Sequence, residues 1–386
     1  MTGPLYRVTG SLLERVLRDK ERLRDRIGSM IDGSSIRKAL EDGHAKRRPR
    51  PCGMTVHTST GCKFGCVYCY VPDMGFPMKP QPYPLTGLEL VYALLNNPYF
   101  LPGPHGTLLA FGSVTEPFME EAVECTIDYL EKTRKFLGNP TQISTKAFID
   151  EKLLATLLRV MDPQTSFLVT IITIKHAEKL EPNAPRPSER FETIRRLSKA
   201  SVHVTLFLRP IIPGLTESEI PTLLSKAKEN GAKGVVPGSL RVTPGILRRL
   251  ELAGLNIDEI KRRLPRQPRD PKDQVTVKEH DLKRLVEVYA RKLGLRVYPS
   301  SCAANIEAHN LACYSCGWGP CGDPQKLPVI ENSGIRDAVE VLGLKPVRLV
   351  VKGYKITVHV KGGKRRSKDV ASVILSTLTK RDVIVK

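Results

Sequence analysis

The chain has 386 residues, enough for one large domain with smaller attachments. It holds no run of 18 apolar residues, and its opening Met1-Thr2-Gly3-Pro4-Leu5-Tyr6-Arg7 leads into no apolar core. A membrane-spanning helix and a signal peptide are therefore not expected, and the cytoplasm is the expected location. The 61 Lys and Arg against 40 Asp and Glu leave a charge of +21, which favours a polyanionic partner; a generally basic thermophile surface is the competing reading.

Residues 10–42 read as helical, because Leu12, Leu13, Val16, Leu17, Leu23 and Ile27 recur at roughly helical spacing. Gly33-Ser34-Ser35 reads as a break with a new N-cap, and Pro49 and Pro51 stop any helix. Residues 1–50 are thus expected to be a basic helical N-terminal extension. From Met54 to about Val242, six short apolar runs, the first at Met54–Val56 and the last at Gly234–Val236, alternate with amphipathic stretches. That alternation predicts an α/β fold with a parallel sheet. Six units over residues 51–242 would form an open, partial (β/α)6 barrel with its site at the carboxyl ends of the strands. Residues 243–295 read as a basic connector, Pro- and Arg-rich with two short helices, followed by a helix over residues 276–293 capped by Thr276 with Glu279 three residues on. Residues 296–330 are rich in cysteine. Residues 343–386 read as a small basic ββαβ unit, with turns at Gly353 and Gly362-Gly363.

The charge is unevenly spread. Residues 343–386 carry twelve Lys and Arg against two Asp, a balance of +10 and nearly half of the excess. A second basic stretch is Lys46-Arg47-Arg48-Pro49-Arg50, and a third is Lys261-Arg262-Arg263 with Arg266, Arg269 and Lys272. Lys46, Arg47, Arg48, Lys364, Arg365 and Arg366 are the candidate nucleic-acid contacts.

Nine cysteines in a cytosolic chain argue for metal ligation over disulfides. Cys62, Cys66 and Cys69 have the spacing C-x3-C-x2-C. Three thiolates on one short loop can hold three irons of a [4Fe-4S] cluster and leave the fourth open. A zinc loop is the alternative, but zinc sites usually pair two ligands here with two far away. Cys302, Cys313, Cys316 and Cys321 form a second set among Gly317, Gly319 and Gly322, and four thiolates can close a second [4Fe-4S] cluster or a tetrahedral zinc site. His309 reads as a polar loop residue, since four cysteines suffice, and Trp318 is expected to pack over the metal. Cys52 and Cys125 read as small buried hydrophobes, with Cys52 the stronger candidate for a reactive thiol.

The C-x3-C-x2-C loop resembles the radical S-adenosylmethionine (radical SAM) signature, and Tyr68 matches its aromatic position near the adenine. Phe111-Gly112-Ser113-Val114-Thr115-Glu116-Pro117 looks like the motif that binds the SAM amino group, with Thr115 and Glu116 at the matching positions. Ser144-Thr145-Lys146 follows, and Lys146 matches a lysine that pairs with the SAM carboxylate. Glu181-Pro182-Asn183-Ala184-Pro185 with Arg190, then Arg209-Pro210-Ile211-Ile212-Pro213-Gly214-Leu215, complete an order similar to the spore photoproduct lyase-like branch, also called DNA-repair-photolyase-like. The resemblance covers about residues 50–240. It implies a three-cysteine [4Fe-4S] cluster, SAM bound by Tyr68, Ser113, Thr115, Glu116, Ser144, Lys146, Glu181 and Arg190, and an electron donor such as a ferredoxin or flavodoxin. Chemically, Lys146 offers a fixed cation for the SAM carboxylate and Glu116 an acceptor for its ammonium. Glu181 and Arg190 could instead pair with each other to hold a barrel loop, and Ser113 and Ser144 could simply cap helices. Spore photoproduct lyases carry a hydrogen-donating cysteine near the end of the second strand, and Phe111-Gly112-Ser113-Val114 has none.

The expected function is therefore a radical SAM enzyme acting on nucleic acid, structured RNA such as tRNA or rRNA ahead of DNA. The alternatives are a peptide- or protein-modifying radical enzyme with an auxiliary cluster, a DNA photoproduct lyase, and an iron-sulfur RNA-binding protein without activity.

Overall fold

The computed structural model describes residues 3–50 and 53–386, so Cys52 lies outside the described residues. Helix α1 (Gly10–Gly28) opens the chain, with Thr9 accepting from the Leu12 amide at 3.1 Å as its cap. A second helix follows over Gly33–Glu41; its cap is Asp32, just before the expected break. Asp42 then ties this extension to the barrel. One of its carboxylate oxygens lies 2.7 Å from His44 Nδ1, and the other accepts from the Tyr83 hydroxyl at 2.7 Å.

Seven parallel strands stand side by side in chain order. They are β1 (Met54–Val56), β2 (Leu109–Phe111), β3 (Thr141–Thr145), β4 (Ser166–Thr170), β5 (His203–Ile211), β6 (Gly234–Ser239) and β7 (Arg296–Val297). Parallel neighbours need crossover connections, and helices α2 (Gly87–Asn96), α3 (Val123–Phe136), α4 (Glu151–Val160), α5 (Pro187–Lys199) and α6 (Ile220–Glu229) supply them. Thr86 and Glu89 form a full capping box on α2, and Asp150 caps α4 by accepting from the Leu153 amide at 2.7 Å. All five residues of β4 are buried, as expected for a strand covered on both faces.

The six expected strands are present, and β7 is added beyond the connector. It pairs only two residues, Arg296 with Gly234 and Val297 with Val235, too few to leave a pattern in sequence. The helix expected from Thr276 begins instead at His280, as α7 (His280–Lys292). Val275 and Thr276 are taken by an antiparallel pairing with Val242 and Arg241, which outweighs the local capping signal.

After β7 come α8 (Ser301–Ala308) and α9 (Asn332–Val341); neither was expected, and neither has a side-chain cap. The chain ends as β8 (Lys345–Lys352), β9 (Lys355–Lys361), α10 (Arg365–Thr379) and β10 (Asp382–Val385), the expected ββαβ order. This unit does not stand apart. Val8 and Leu13 share one core with Ile335, Val339, Ile356 and Leu375, so α1, α9 and α10 close over the same apolar residues. The backbone joins them too: Val8 donates to Val329 and Val329 to Tyr6, both at 2.9 Å. The two ends of the chain thus fold as one body against the β1–β2 edge.

Candidate active site

Ser59 and Thr60 pair antiparallel with Pro82 and Gln81 and close the loop that carries Cys62, Cys66 and Cys69. At its neck, Gly61 has φ +78°, and a Cβ there would lie 2.4 Å from the Lys79 carbonyl oxygen, so only glycine fits. The loop rests on the segment after β4. The Val67 amide donates to Leu180 at 2.9 Å, and Asn183 Nδ2 donates to the Lys63 carbonyl at 2.9 Å. Burial pushes the Cys66 thiol up to about 12 and raises Cys62 and Cys69 as well; Lys146 pulls all three the other way, and the neighbouring thiols act with burial. A cluster of iron ions would supply the positive charge that these buried sulfurs lack, and ligation would take their protons.

A cavity of about 310 Å³ opens above the three sulfurs at the carboxyl ends of the strands. Tyr68, Ser113, Thr115, Glu116, Ser144 and Lys146 all line it. Gly112, at φ +76°, lets β2 and β3 end close together, since a Cβ there would meet the Ser144 carbonyl at 2.0 Å. Glu116 is buried and fixed by three donors: the Thr145 hydroxyl at 2.5 Å, the Lys146 amide at 2.8 Å and the Phe118 amide at 3.3 Å. Burial still outweighs these donors and holds its carboxyl above the usual range. A ligand ammonium would reverse that shift. The Lys146 ammonium lies 5.7 Å from the Tyr68 ring centroid. Burial would lower its pKa, but the charges of Cys66 and Glu181 prevail and raise it.

Glu181 and Arg190 do not line the cavity. They form an ion pair at 2.5 Å with both side chains fully buried, and the Tyr68 hydroxyl donates to the same carboxylate. Arg190 also donates to the carbonyls of Pro185 at 2.7 Å and Thr170 at 3.1 Å. The pairing weighed from the sequence is thus the arrangement found, and it props Tyr68 from behind. Arg209, quoted above only as the start of a family motif and given no ligand, and Arg241, which sequence reasoning did not select, stand in the cavity wall at the ends of β5 and β6.

The second cysteine set lies on α8 and the ribbon after it, where Cys321 packs with Ala303, Ile306, Leu168 and Val236. Cys313 and Cys321 face each other across a two-residue ribbon, Cys302 lies in α8, and Cys316 sits in the intervening loop. Burial pushes Cys321 up to about 12, with Cys302, Cys313 and Cys316 adding to it. Ser301, next to Cys302, lines the first cavity, and its carbonyl accepts from Gln142 at 2.8 Å. His309 is satisfied by the Thr141 amide at 3.3 Å and the Asn305 carbonyl at 3.1 Å. Trp318 is 65% exposed at the loop tip; it points to solvent and does not cover the cysteines as expected. Cys125 is half-buried against the main core.

The basic candidates divide. Arg48, Arg365 and Arg366 line a cleft of about 1200 Å³ between the β1–β2 edge and α10, together with Arg50, Lys368, Lys380 and Lys386. Arg47 turns inward instead and donates to the Thr55 carbonyl at 2.6 Å. Lys46 folds back onto the Glu41 carbonyl at 2.9 Å, and Lys364 is the N-cap position of α10.

Residues 56–227 match the family described as the Radical SAM superfamily. Two solved structures share the fold. A cysteine-to-serine variant of spore photoproduct lyase is 16% identical with a TM-score of 0.54, covering 64% of this chain and 77% of its own. A spore photoproduct lyase variant with bound AdoMet and dinucleoside spore photoproduct is 15% identical with a TM-score of 0.53, covering 63% and 75%. The uncharacterized protein ORF301 of Acidianus two-tailed virus is 25% identical over 196 residues, which are 47% of this chain and 60% of that protein's length.

Replacing Arg190 by Met strands the Glu181 charge in the interior. The expected loss is about 3–5 kcal/mol of stability, read as a lower denaturant midpoint, with part of it recovered in a Glu181→Gln/Arg190→Met double variant. A midpoint equal to wild type in the single variant contradicts this reading.

Proposed function

Taking the chain as a member of the radical SAM superfamily with a spore photoproduct lyase-like fold, we propose that it is an enzyme acting on nucleic acid, structured RNA ahead of DNA. The observation that carries the substrate class is the cleft. Two basic stretches more than 300 residues apart in sequence meet there: Arg48 and Arg50 on one side, Arg365, Arg366 and Lys368 on the other. Inside it, Asp369 pairs with Arg48 at 3.3 Å and accepts from the Tyr99 hydroxyl at 3.0 Å, while Arg50, Arg365 and Arg366 stay exposed. Clustered Lys and Arg neutralise phosphates without regard to sequence and release counterions as they do so.

Position favours a folded substrate. Gly53, Thr107 and Leu108 of the cleft precede β1 and β2, whereas the candidate SAM-binding residues follow them. The three residues of β2 alone span roughly 10 Å. A nucleic acid engaging both ends of the barrel has to reach across that span, and a folded RNA can do so.

Cys62, Cys66 and Cys69 would hold the [4Fe-4S] cluster. With SAM bound, the cluster would supply the chemistry of reductive cleavage, in which one electron from a ferredoxin- or flavodoxin-like donor would split SAM into methionine and a 5′-deoxyadenosyl radical. Glu116, aimed by Thr145 and two amides, takes the SAM ammonium, and Lys146 takes its carboxylate. Tyr68 lends an aromatic face, and Ser113, Thr115 and Ser144 complete the wall. Because the strand ends fix these groups, little reorganisation is needed on binding. Cys302, Cys313, Cys316 and Cys321 would close a second site, an auxiliary [4Fe-4S] cluster or zinc. A peptide substrate is the second reading, favoured by how near this site comes to the cavity through Ser301.

An Arg365→Gln/Arg366→Gln variant is expected to weaken tRNA binding and reduce the salt slope by about two, while SAM cleavage without substrate stays unchanged. Equal slopes for variant and wild type, or wild-type binding indifferent to salt, would count against the nucleic-acid reading. In anaerobically reconstituted protein, a Cys313→Ala/Cys316→Ala variant should fall from about eight irons to about four. If the irons stay at about four in both and zinc is lost, the second site is a structural clamp.

A further inference from the structure

Two cations in the cavity wall, Arg209 and Arg241, stand apart from the groups proposed for the cluster and SAM. Arg209 leaves the end of β5 and Arg241 follows the end of β6, and both are exposed. Among the described residues neither has an ion-pair partner, unlike the buried Arg190 or the neighbouring Arg249, which pairs with Asp73 at 2.8 Å. Their two charges repel each other, and both act on Tyr70 of the cysteine loop. Glu279, whose charge also reaches Arg209, is buried and already engaged by Lys283 at 3.1 Å. That ammonium donates in turn to Ser239 in the cavity wall at 2.9 Å. The balance of these groups is positive and faces the cavity.

The fold holds this pair in place. Gly238 leaves room for the Arg209 stem: a Cβ there would lie 2.4 Å from Arg209 Cγ and 2.5 Å from Cδ. The guanidinium rests 5.8 Å from the Phe207 ring centroid, within the range of cation–π attraction. Arg241 is fixed by the ribbon that pairs it with Thr276, the same pairing that displaces the start of α7. Two unpaired guanidinium groups at a cavity that already has separate groups for an ammonium and a carboxylate are arranged for a further anion. Guanidinium forks suit the oxygens of a phosphate.

We propose that Arg209 and Arg241 form an anion subsite beside the radical centre, which grips a phosphodiester of the substrate and so places the adjoining nucleotide over the SAM cavity. The anion subsite stands on the geometry; its assignment to a phosphodiester rests on the nucleic-acid reading above. The basic cleft would then hold a remote part of the same molecule and set overall affinity, while this pair sets register at the reacting carbon.

The test is residue-resolved protection of arginines from phenylglyoxal in the reconstituted full-length protein, with peptide mapping, in the presence of tRNA, inorganic pyrophosphate or SAM. At about ten times the dissociation constant, tRNA and pyrophosphate are each expected to slow modification of Arg209 and Arg241 roughly tenfold, and SAM alone is expected to leave both reactive. Protection by SAM alone would assign the pair to the cofactor and overturn the proposal, as would no protection by either anion. If pyrophosphate protects the pair but tRNA protects neither it nor Arg365 and Arg366, the subsite stands and the nucleic-acid reading fails. A Gly238→Ala variant, which displaces the Arg209 stem, should weaken pyrophosphate protection while substrate-free SAM cleavage is retained.

Discussion

The buried pair of Glu181 and Arg190 is the contact on which the geometry of the site depends. Neither side chain reaches water. Hydrogen bonds lower the cost of burying such a pair, and here they come from the Tyr68 hydroxyl and the carbonyls of Thr170 and Pro185, while Arg190 Nη2 is left without a hydrogen-bond partner. Through Tyr68 the pair grips the cysteine loop from inside, between Cys66 and Cys69. Through Thr170 it grips the end of β4, and through Arg190 itself it grips α5. One interaction thus fixes the loop, a strand end and a crossover helix relative to each other, and it also places a carboxylate near Lys146. The charge of that lysine is sustained by the groups it faces, Cys66 and Glu181.

Electrostatics divides the molecule by function. At the carboxyl ends of the strands, charges occur as fixed single groups with distinct partners: Glu116 on three donors, Lys146 over Tyr68, Arg209 over Phe207. At the other end, cations crowd together in a wide cleft with little acid to neutralise them. The first arrangement selects atoms and orientations, and the second selects a polyanion of any sequence. The shared core of α1, α9 and α10 produces the second, because it brings residues near 50 beside residues near 365. Neither basic stretch would form a cleft alone.

Much of this was legible in the sequence where the signal is local. The C-x3-C-x2-C spacing, the six apolar runs and the motifs at the ends of β2 and β3 each sit within a few residues. What was not legible depends on distant partners. Strand β7 exists because Gly234 and Val235 accept it, and α7 starts late because Thr276 pairs with Arg241. Arg47 reads as a nucleic-acid contact until Thr55 is seen to claim it. Arg209 and Arg241 are two cations among 61 in the chain, and only folding shows that they lack acids and share a wall with Tyr68. Trp318 was expected to cover the cysteines, and the folded chain leaves it exposed instead.

The central claim is that a radical generated over Cys62, Cys66 and Cys69 takes a hydrogen atom from nucleic acid. The direct measurement is mass spectrometry of the 5′-deoxyadenosine released by reduced, reconstituted protein given SAM and RNA from cells grown in deuterium oxide. The account predicts deuterium in the 5′-deoxyadenosine, lost when unlabelled RNA is supplied. Release of 5′-deoxyadenosine free of deuterium with every labelled RNA fraction would contradict it.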